Sequence, residues 1–129
     1  MANPAPGWAK KPEHRVDLYP ESKHVRVTFA GTVIADTHAA LRCEETGHGP
    51  VHYIPEKDVS TDLLRRTEHH TYCPFKGEAS YWTISVVDGS ETRQSENAMW
   101  GYQTPYDEMT RLAGHFAFYG SRVDAIEVA

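Results

Sequence analysis

Nine consecutive residues carry the densest chemistry in this chain: His69-His70-Thr71-Tyr72-Cys73-Pro74-Phe75-Lys76-Gly77. A thiol reacts as its thiolate, and a nearby cation favours that form. Lys76 stands three positions after Cys73, and the histidine pair stands just before it. If Cys73-Pro74-Phe75-Lys76 is a turn, the ammonium approaches the sulfur and a nucleophile is activated. The same cysteine can equally be a small buried hydrophobe, and both readings stay open on local sequence. Neighbours on a strand point to opposite faces, so His69 and Thr71 share a face with Cys73 while His70 and Tyr72 take the other. Pro74 fixes the backbone after the strand and Gly77 lets the chain reverse, which aims Lys76 back across the domain. A Cys–His metal centre would need distant ligands such as His52 or His115. Neither cysteine, Cys43 or Cys73, has a partner at C-x-x-C spacing, so no metal is expected.

Aromatic side chains form the second candidate group. Tyr53, Tyr72, Tyr81, Trp82, Trp100, Tyr102 and Tyr119 fall on or near expected strands. Such rings either fill a core or line a pocket with one polar handle each. Phosphate chemistry has fewer residues to draw on. There is neither a G-x-x-x-x-G-K-[ST] loop nor a G-x-G-x-x-G fingerprint. Metal-assisted nucleotidyl transfer needs closely placed carboxylates. No D-x-D pair lies on a strand, and Asp58 and Asp62 are the nearest candidates.

The elements that must hold these groups are mostly strands. His24 to Phe29 alternates strictly, with Val25, Val27 and Phe29 on one face. Gly31 breaks it, and Thr32 to Ala35 pairs back as a hairpin. Thr37 to Glu45 is ambiguous, its alanines and Leu41 favouring a helix. Val51 to Ile54 is a brief strand ended by Pro55. Ala79 to Val87 is the clearest strand, with Tyr81, Thr83 and Ser85 on one face and Trp82, Ile84 and Val86 on the other. Asp88-Gly89 marks a hairpin. One short helix is expected near residues 105–113, with Thr104 as N-cap, Pro105 at N1, Asp107 at the positive end of the dipole and Gly114 as the stop. His115 to Tyr119 and Val123 to Val128 close the chain as strands. Residues 1–20 hold four of the eight prolines, which predicts an extended arm ahead of a single β domain over 21–129.

Composition narrows the function classes. A chain of 129 residues is about one domain. A net charge of -5 argues against a phosphate-backbone binder, so no nucleic-acid partner is expected. No apolar run approaches the roughly 18 residues of a membrane span. No apolar leader is visible at the start, and two cysteines make no disulfide framework, so a reducing cytoplasm is the expected compartment. Nothing in the sequence calls for a cofactor, and nothing fixes an oligomeric state.

Several motifs recur in a known order. They are Phe29-Ala30-Gly31 with Val33-Ile34-Ala35-Asp36, then Glu45-Thr46-Gly47, Tyr53-Ile54-Pro55 and Asp58-Val59. Thr71 to Gly77, Glu96-Asn97-Ala98-Met99-Trp100-Gly101-Tyr102 and Gly114 to Tyr119 follow. Over about residues 24–128 the chain resembles the bacterial and fungal domain-of-unknown-function family 427. The resemblance implies a mainly β, single-domain fold of antiparallel, β-tent-like sheets. It implies no structural zinc here, because the cysteine knuckles of zinc-holding β-tents are missing. It places the family's recurring polar positions on Glu45, Cys73, Lys76, Trp100, Tyr102 and Tyr119, and it brings a nucleotidyltransferase-like label.

The combined expectation is a pocket for a small-molecule ligand. Cys73, Lys76 and Glu45 are its candidate catalytic residues. Tyr53, Trp100, Tyr102, Tyr119 and His115 are its candidate ligand contacts. In a catalytic version Cys73 is the nucleophile, Lys76 its activator, and Glu45 a base or the orienter of Lys76. The alternatives are a non-catalytic recognition module with an aromatic cage, or nucleotidyltransferase-like activity.

Overall fold

The computed structural model describes residues 2–129. The protein is mainly β, with two antiparallel sheets, one of them curled as a half-barrel. Alternating burial explains the smaller sheet. β2 (Val25–Phe29) buries Val25, Val27 and Phe29 and exposes Arg26, as its sequence pattern predicts. β3 (Thr32–Thr37) pairs with it through a tight turn in which Ala30 and Gly31 both take positive φ, 51° and 72°. Two positive φ values match the right-handed twist of the flanking strands. β10 (Ala125–Val128) pairs with the other edge of β2, giving the order β10-β2-β3.

The larger sheet has seven strands. They are β1 (Val16–Glu21), β4 (Ala40–Glu45), β5 (Val51–Pro55), β6 (Leu64–Cys73), β7 (Gly77–Asp88), β8 (Glu91–Gly101) and β9 (His115–Phe118), in the order β1-β4-β5-β9-β8-β7-β6. Its middle strands are buried on both faces, while the edge strand β6 is mostly exposed. Ile54, Ile84, Val86, Met99, Phe116 and Phe118 meet the smaller sheet in one core. Tyr53, Ala79, Tyr81, Tyr102 and Ala117 turn to the other face and form a second core with Val16, Phe75, Met109 and Leu112.

Curvature comes from two irregularities that flank β7. Trp82 pairs with Arg66 but Ser80 pairs with His70, so a step of two on β7 meets a step of four on β6. Trp82 also pairs with Met99 while Ile84 pairs with Ser95, so β8 carries the same excess. Asn97 sits in the second bulge at φ 50°, a conformation asparagine tolerates better than most residues. The Thr67 hydroxyl donates to Asn97 Oδ1 at 2.7 Å, joining the two bulges across β7. Bulges bend a strand and increase its twist, and these two bend one sheet at the same place.

Three expectations are corrected here. Of the arm expected over residues 1–20, the described residues 2–20 are not extended throughout. A single helical turn, α1 (Gly7–Lys10), is followed by β1, which pairs with β4 from Val16↔Glu45 to Glu21↔Ala40. β1 is an edge strand, where the missing N–H of Pro20 costs nothing. Residues 40–45 are a strand, not part of a helix, and Ala40, Leu41 and Cys43 are all buried. The element near residues 105–113 is a 3-10 helix, Asp107–Leu112, interrupted at Met109 (φ -120°, ψ 23°), with Tyr106 rather than Thr104 at its N-cap position. Its acidic residues serve tertiary contacts: Asp107 accepts from the Asn3 amide at 2.7 Å and Glu108 from the Ala5 amide at 2.9 Å. Among the described residues no helix is long and apolar enough to cross a membrane.

Candidate functional site

β6 runs to Cys73, the chain turns through Pro74, Phe75 and Lys76, and β7 restarts at Gly77 with φ 124°. Only glycine reaches that φ without strain. The turn folds Lys76 inward, where it is 7% exposed. Its Nζ donates to Glu45 Oε1 at 2.5 Å. Glu45 ends β4, two residues after Cys43, so both side chains leave the strand on one face.

The other oxygen of Glu45 is also held. His14 Nε2 donates to Oε2 at 2.8 Å. The His14 ring stacks on Phe75 with centroids 4.1 Å apart, and Trp8 meets the same ring edge-on at 4.9 Å. The Trp8 indole donates to the His14 carbonyl at 2.6 Å, and the Gly7 amide donates to the Pro74 carbonyl at 2.9 Å. A Cβ on Gly7 would lie 2.5 Å from the Phe75 ring, so the close approach requires glycine. The N-terminal segment therefore packs against the turn that carries Lys76.

Burial is the largest influence on both members of the ion pair, and it opposes their charges. For Lys76 it acts downward, but the hydrogen bond to Glu45 and the nearby Tyr102 and Glu45 outweigh it, and its pKa ends above the ordinary lysine value. For Glu45 burial acts upward, and the hydrogen bonds from Lys76 and His14 bring it below the ordinary carboxylate value. Both groups are thus charged and mutually satisfied.

Beside the pair lies a cleft of about 350 Å³. Tyr53, Tyr81, Trp100, Tyr102 and Tyr119 give it aromatic walls, and Cys43, Glu45, His48, Gly49, Val51, Thr71 and Lys76 complete the lining. Trp100 and Tyr119 have centroids 4.4 Å apart, and Tyr53 meets Trp100 edge-on at 6.2 Å. Thr71 Oγ1 and the Tyr81 hydroxyl share a hydrogen bond of 2.8 Å, and the Tyr81 and Tyr119 hydroxyls share one of 3.2 Å. Burial, then the hydrogen bond with Tyr81, pushes the Tyr119 phenol up to about 12. Burial also pushes Tyr53 and Tyr102 above the ordinary phenol value. These hydroxyls stay protonated and able to donate.

Glu45, Tyr53, Lys76, Trp100, Tyr102 and Tyr119, six of the expected site residues, come together in this cleft. Cys73 is half-buried, packs against the second core, and is not among the lining residues. His115 is not among the lining residues of the cleft: it lines a neighbouring cavity of about 190 Å³ with Glu56, Gln103, Phe116 and Tyr102, which is common to both, and its Nδ1 is 3.1 Å from the Ala113 carbonyl oxygen. Sequence reasoning left Tyr81 among the candidate aromatics and missed Cys43, His48, Gly49, Val51 and Thr71 as lining residues, and His14 as a partner of Glu45. Alternation with Glu45 would have found Cys43 once residues 40–45 were read as a strand. Nothing local marks His14.

The remaining candidates are dispersed. Asp58 accepts from the Thr37 hydroxyl at 2.7 Å, and Asp62 is exposed. Among the described residues no group of three or more His, Cys, Asp or Glu side chains is placed to hold a metal ion. Cys43 and Cys73 are both free thiols, and burial pushes the Cys43 thiol up.

No curated protein matches the chain. A family model does, and it is the family that the sequence motifs resemble: matched over residues 17–129, the chain belongs to the family described as Domain of unknown function (DUF427).

Proposed function

We propose that the chain binds a small, uncharged, hydroxyl-bearing ring in the tyrosine-lined cleft. One observation carries this reading. The only strong charges in the lining, Glu45 and Lys76, already satisfy each other, while protonated hydroxyls and aromatic faces line about 350 Å³. That volume is at the lower end of small-molecule pockets. An ionic ligand would have to break the pair. A neutral ring instead stacks on Tyr and Trp faces and exchanges hydrogen bonds with Thr71 and the tyrosine hydroxyls.

The test is calorimetric titration with neutral monosaccharides and cyclic polyols against their carboxylated or phosphorylated analogues. Neutral rings should bind, and Thr71→Trp, which fills the cleft from an exposed position, should abolish binding. Tighter binding of the charged analogues, or binding that survives Thr71→Trp, would overturn the reading.

Thiol catalysis by Cys73 has less support, because the side chain is not part of the lining. A cation-recognising aromatic cage has less support as well, since the Lys76 ammonium occupies the same walls and repels a second cation. Nucleotidyl transfer lacks the converging carboxylates it needs among the described residues. Two free cysteines fit a reducing compartment, so the cytoplasm is the proposed location.

A further inference from the structure

β5 and β9 are neighbours in the larger sheet, yet their ladder holds only Ile54↔Phe116 and Pro55↔His115. Beyond those pairs the strands part. β5 stays with β4 through Val51–Tyr53, and β9 stays with β8 through Phe118. A second cavity, of about 300 Å³, lies at this parting. Val25, Val27, Ile54 and Phe118 line it from the core between the sheets, and half-exposed Ile126 stands at its edge. Val51, Trp100 and Tyr119 line both this cavity and the tyrosine cleft. A polar cleft and an apolar cavity therefore share a wall where two strands of the sheet are not paired.

We infer that the ligand is elongated and amphipathic, with its hydroxyl-bearing ring in the tyrosine cleft and one unbranched apolar arm passing between β5 and β9 into the second cavity. This rests on the reading of the cleft given above and adds the ligand's other half. The second cavity is the more apolar of the two: its polar side-chain groups are the Trp100 indole, the Tyr119 hydroxyl and His52. Its one imidazole, His52, is taken by Glu21 at 2.9 Å. The tyrosine cleft, by contrast, holds Thr71, four phenols and the ion pair. Such a division rewards a molecule with hydroxyls at one end and hydrocarbon at the other, since each buried methylene adds affinity while each buried unpaired hydroxyl removes it.

The probes are methyl, butyl, hexyl and octyl β-D-glucosides, titrated calorimetrically below their micelle concentrations. Affinity should rise about threefold to fourfold per methylene until the cavity is full. Ile126→Trp, at a position exposed enough to accept it, should abolish the chain-length dependence and leave methyl glucoside binding intact. Thr71→Trp should abolish binding of the whole series. Binding of methyl glucoside with no gain from longer chains overturns the elongated ligand and leaves the cleft reading standing. Octyl glucoside that binds the Thr71→Trp protein as well as the wild type overturns it too, because the arm then binds without its ring. Failure of every glucoside to bind overturns both readings together.

Discussion

Lys76 and Glu45 stand 31 residues apart in the chain and share a hydrogen bond of 2.5 Å, with side chains only 9% and 13% exposed. Removing one partner of such a pair leaves the other charge desolvated, which costs more than the pair itself contributes. Lys76→Met should destabilise the protein by about 3 kcal/mol in urea unfolding. Glu45→Gln added to Lys76→Met should recover at least half of that loss. An equal or larger loss in the double variant would mean that the pair is not the cause.

Glu21 provides a pH signature outside the lining of the cleft. The hydrogen bond from His52, opposed by burial and helped by the Lys23 amide and Arg42, holds its pKa at about 2 against an ordinary 4.5. A depressed carboxylate contributes stability that is present above the unfolded value and lost as pH falls through the folded one. Wild-type stability should therefore fall between about pH 4.5 and 2, and Glu21→Gln should fall less over the same window. Parallel urea midpoints for the two proteins at pH 5, 4 and 3 would contradict the assignment.

Gly7 touches Phe75 so closely that any side chain displaces the ring. Gly7→Ala should cost about 1–3 kcal/mol, the usual range for overpacking. The damage should be local: hydrogen exchange at the position 7 amide, now bonded to Pro74, should accelerate, and Trp8 should become more accessible to quenchers. Unchanged exchange at that amide would mean that the segment tolerates the methyl without moving.

Tyr81 links Thr71 to Tyr119. Tyr81→Phe removes one hydrogen bond at each side and should cost about 1–2 kcal/mol. It should also lower the Tyr119 phenol from about 12 without returning it to 10, because burial, the larger cause, persists. Ultraviolet titration of phenolate absorbance reads both ends of that claim.

The two thiols should differ in access. Cys43 is 2% exposed and its thiol is pushed up by burial, whereas Cys73 is half-buried. At pH 8 iodoacetamide should modify Cys73 and spare Cys43 until the protein is unfolded. Cys73→Ser should leave glucoside affinity unchanged, and a tenfold loss would return Cys73 to the site.

Strands are legible in the sequence for two reasons: β2 by its alternation, and β7, buried on both faces, by its run of β-branched and aromatic residues. β2 alternates because Arg26 meets solvent while Val25 and Val27 do not. β4 is opaque because its alternation is short: only Leu41 and Cys43 alternate with Arg42 and Glu44, Ala40 is buried beside Leu41, and the two alanines, Ala39 and Ala40, read as helix. β1 was hidden by prolines that an edge strand accepts. The Lys76–Glu45 pair was legible from turn chemistry together with the family motifs. His14 was not, because its approach to Glu45 depends on the path of a segment fixed by Phe75, Asp107 and Glu108. His115 lines the neighbouring cavity, which shares Tyr102 with the cleft.

The paired bulges around β7 have a consequence for how this cleft could diversify. The bend they impose is written into the backbone by a few residues, with Thr67 and Asn97 tying them together. Neither Thr67 nor Asn97 lines the cleft. Positions such as Thr71 and Tyr119 can therefore be exchanged while the hollow keeps its outline, so ligand preference can drift from one sequence to the next with the scaffold untouched. The reverse does not hold: loss of the Thr67–Asn97 link would flatten the sheet and spoil the hollow for every ligand at once.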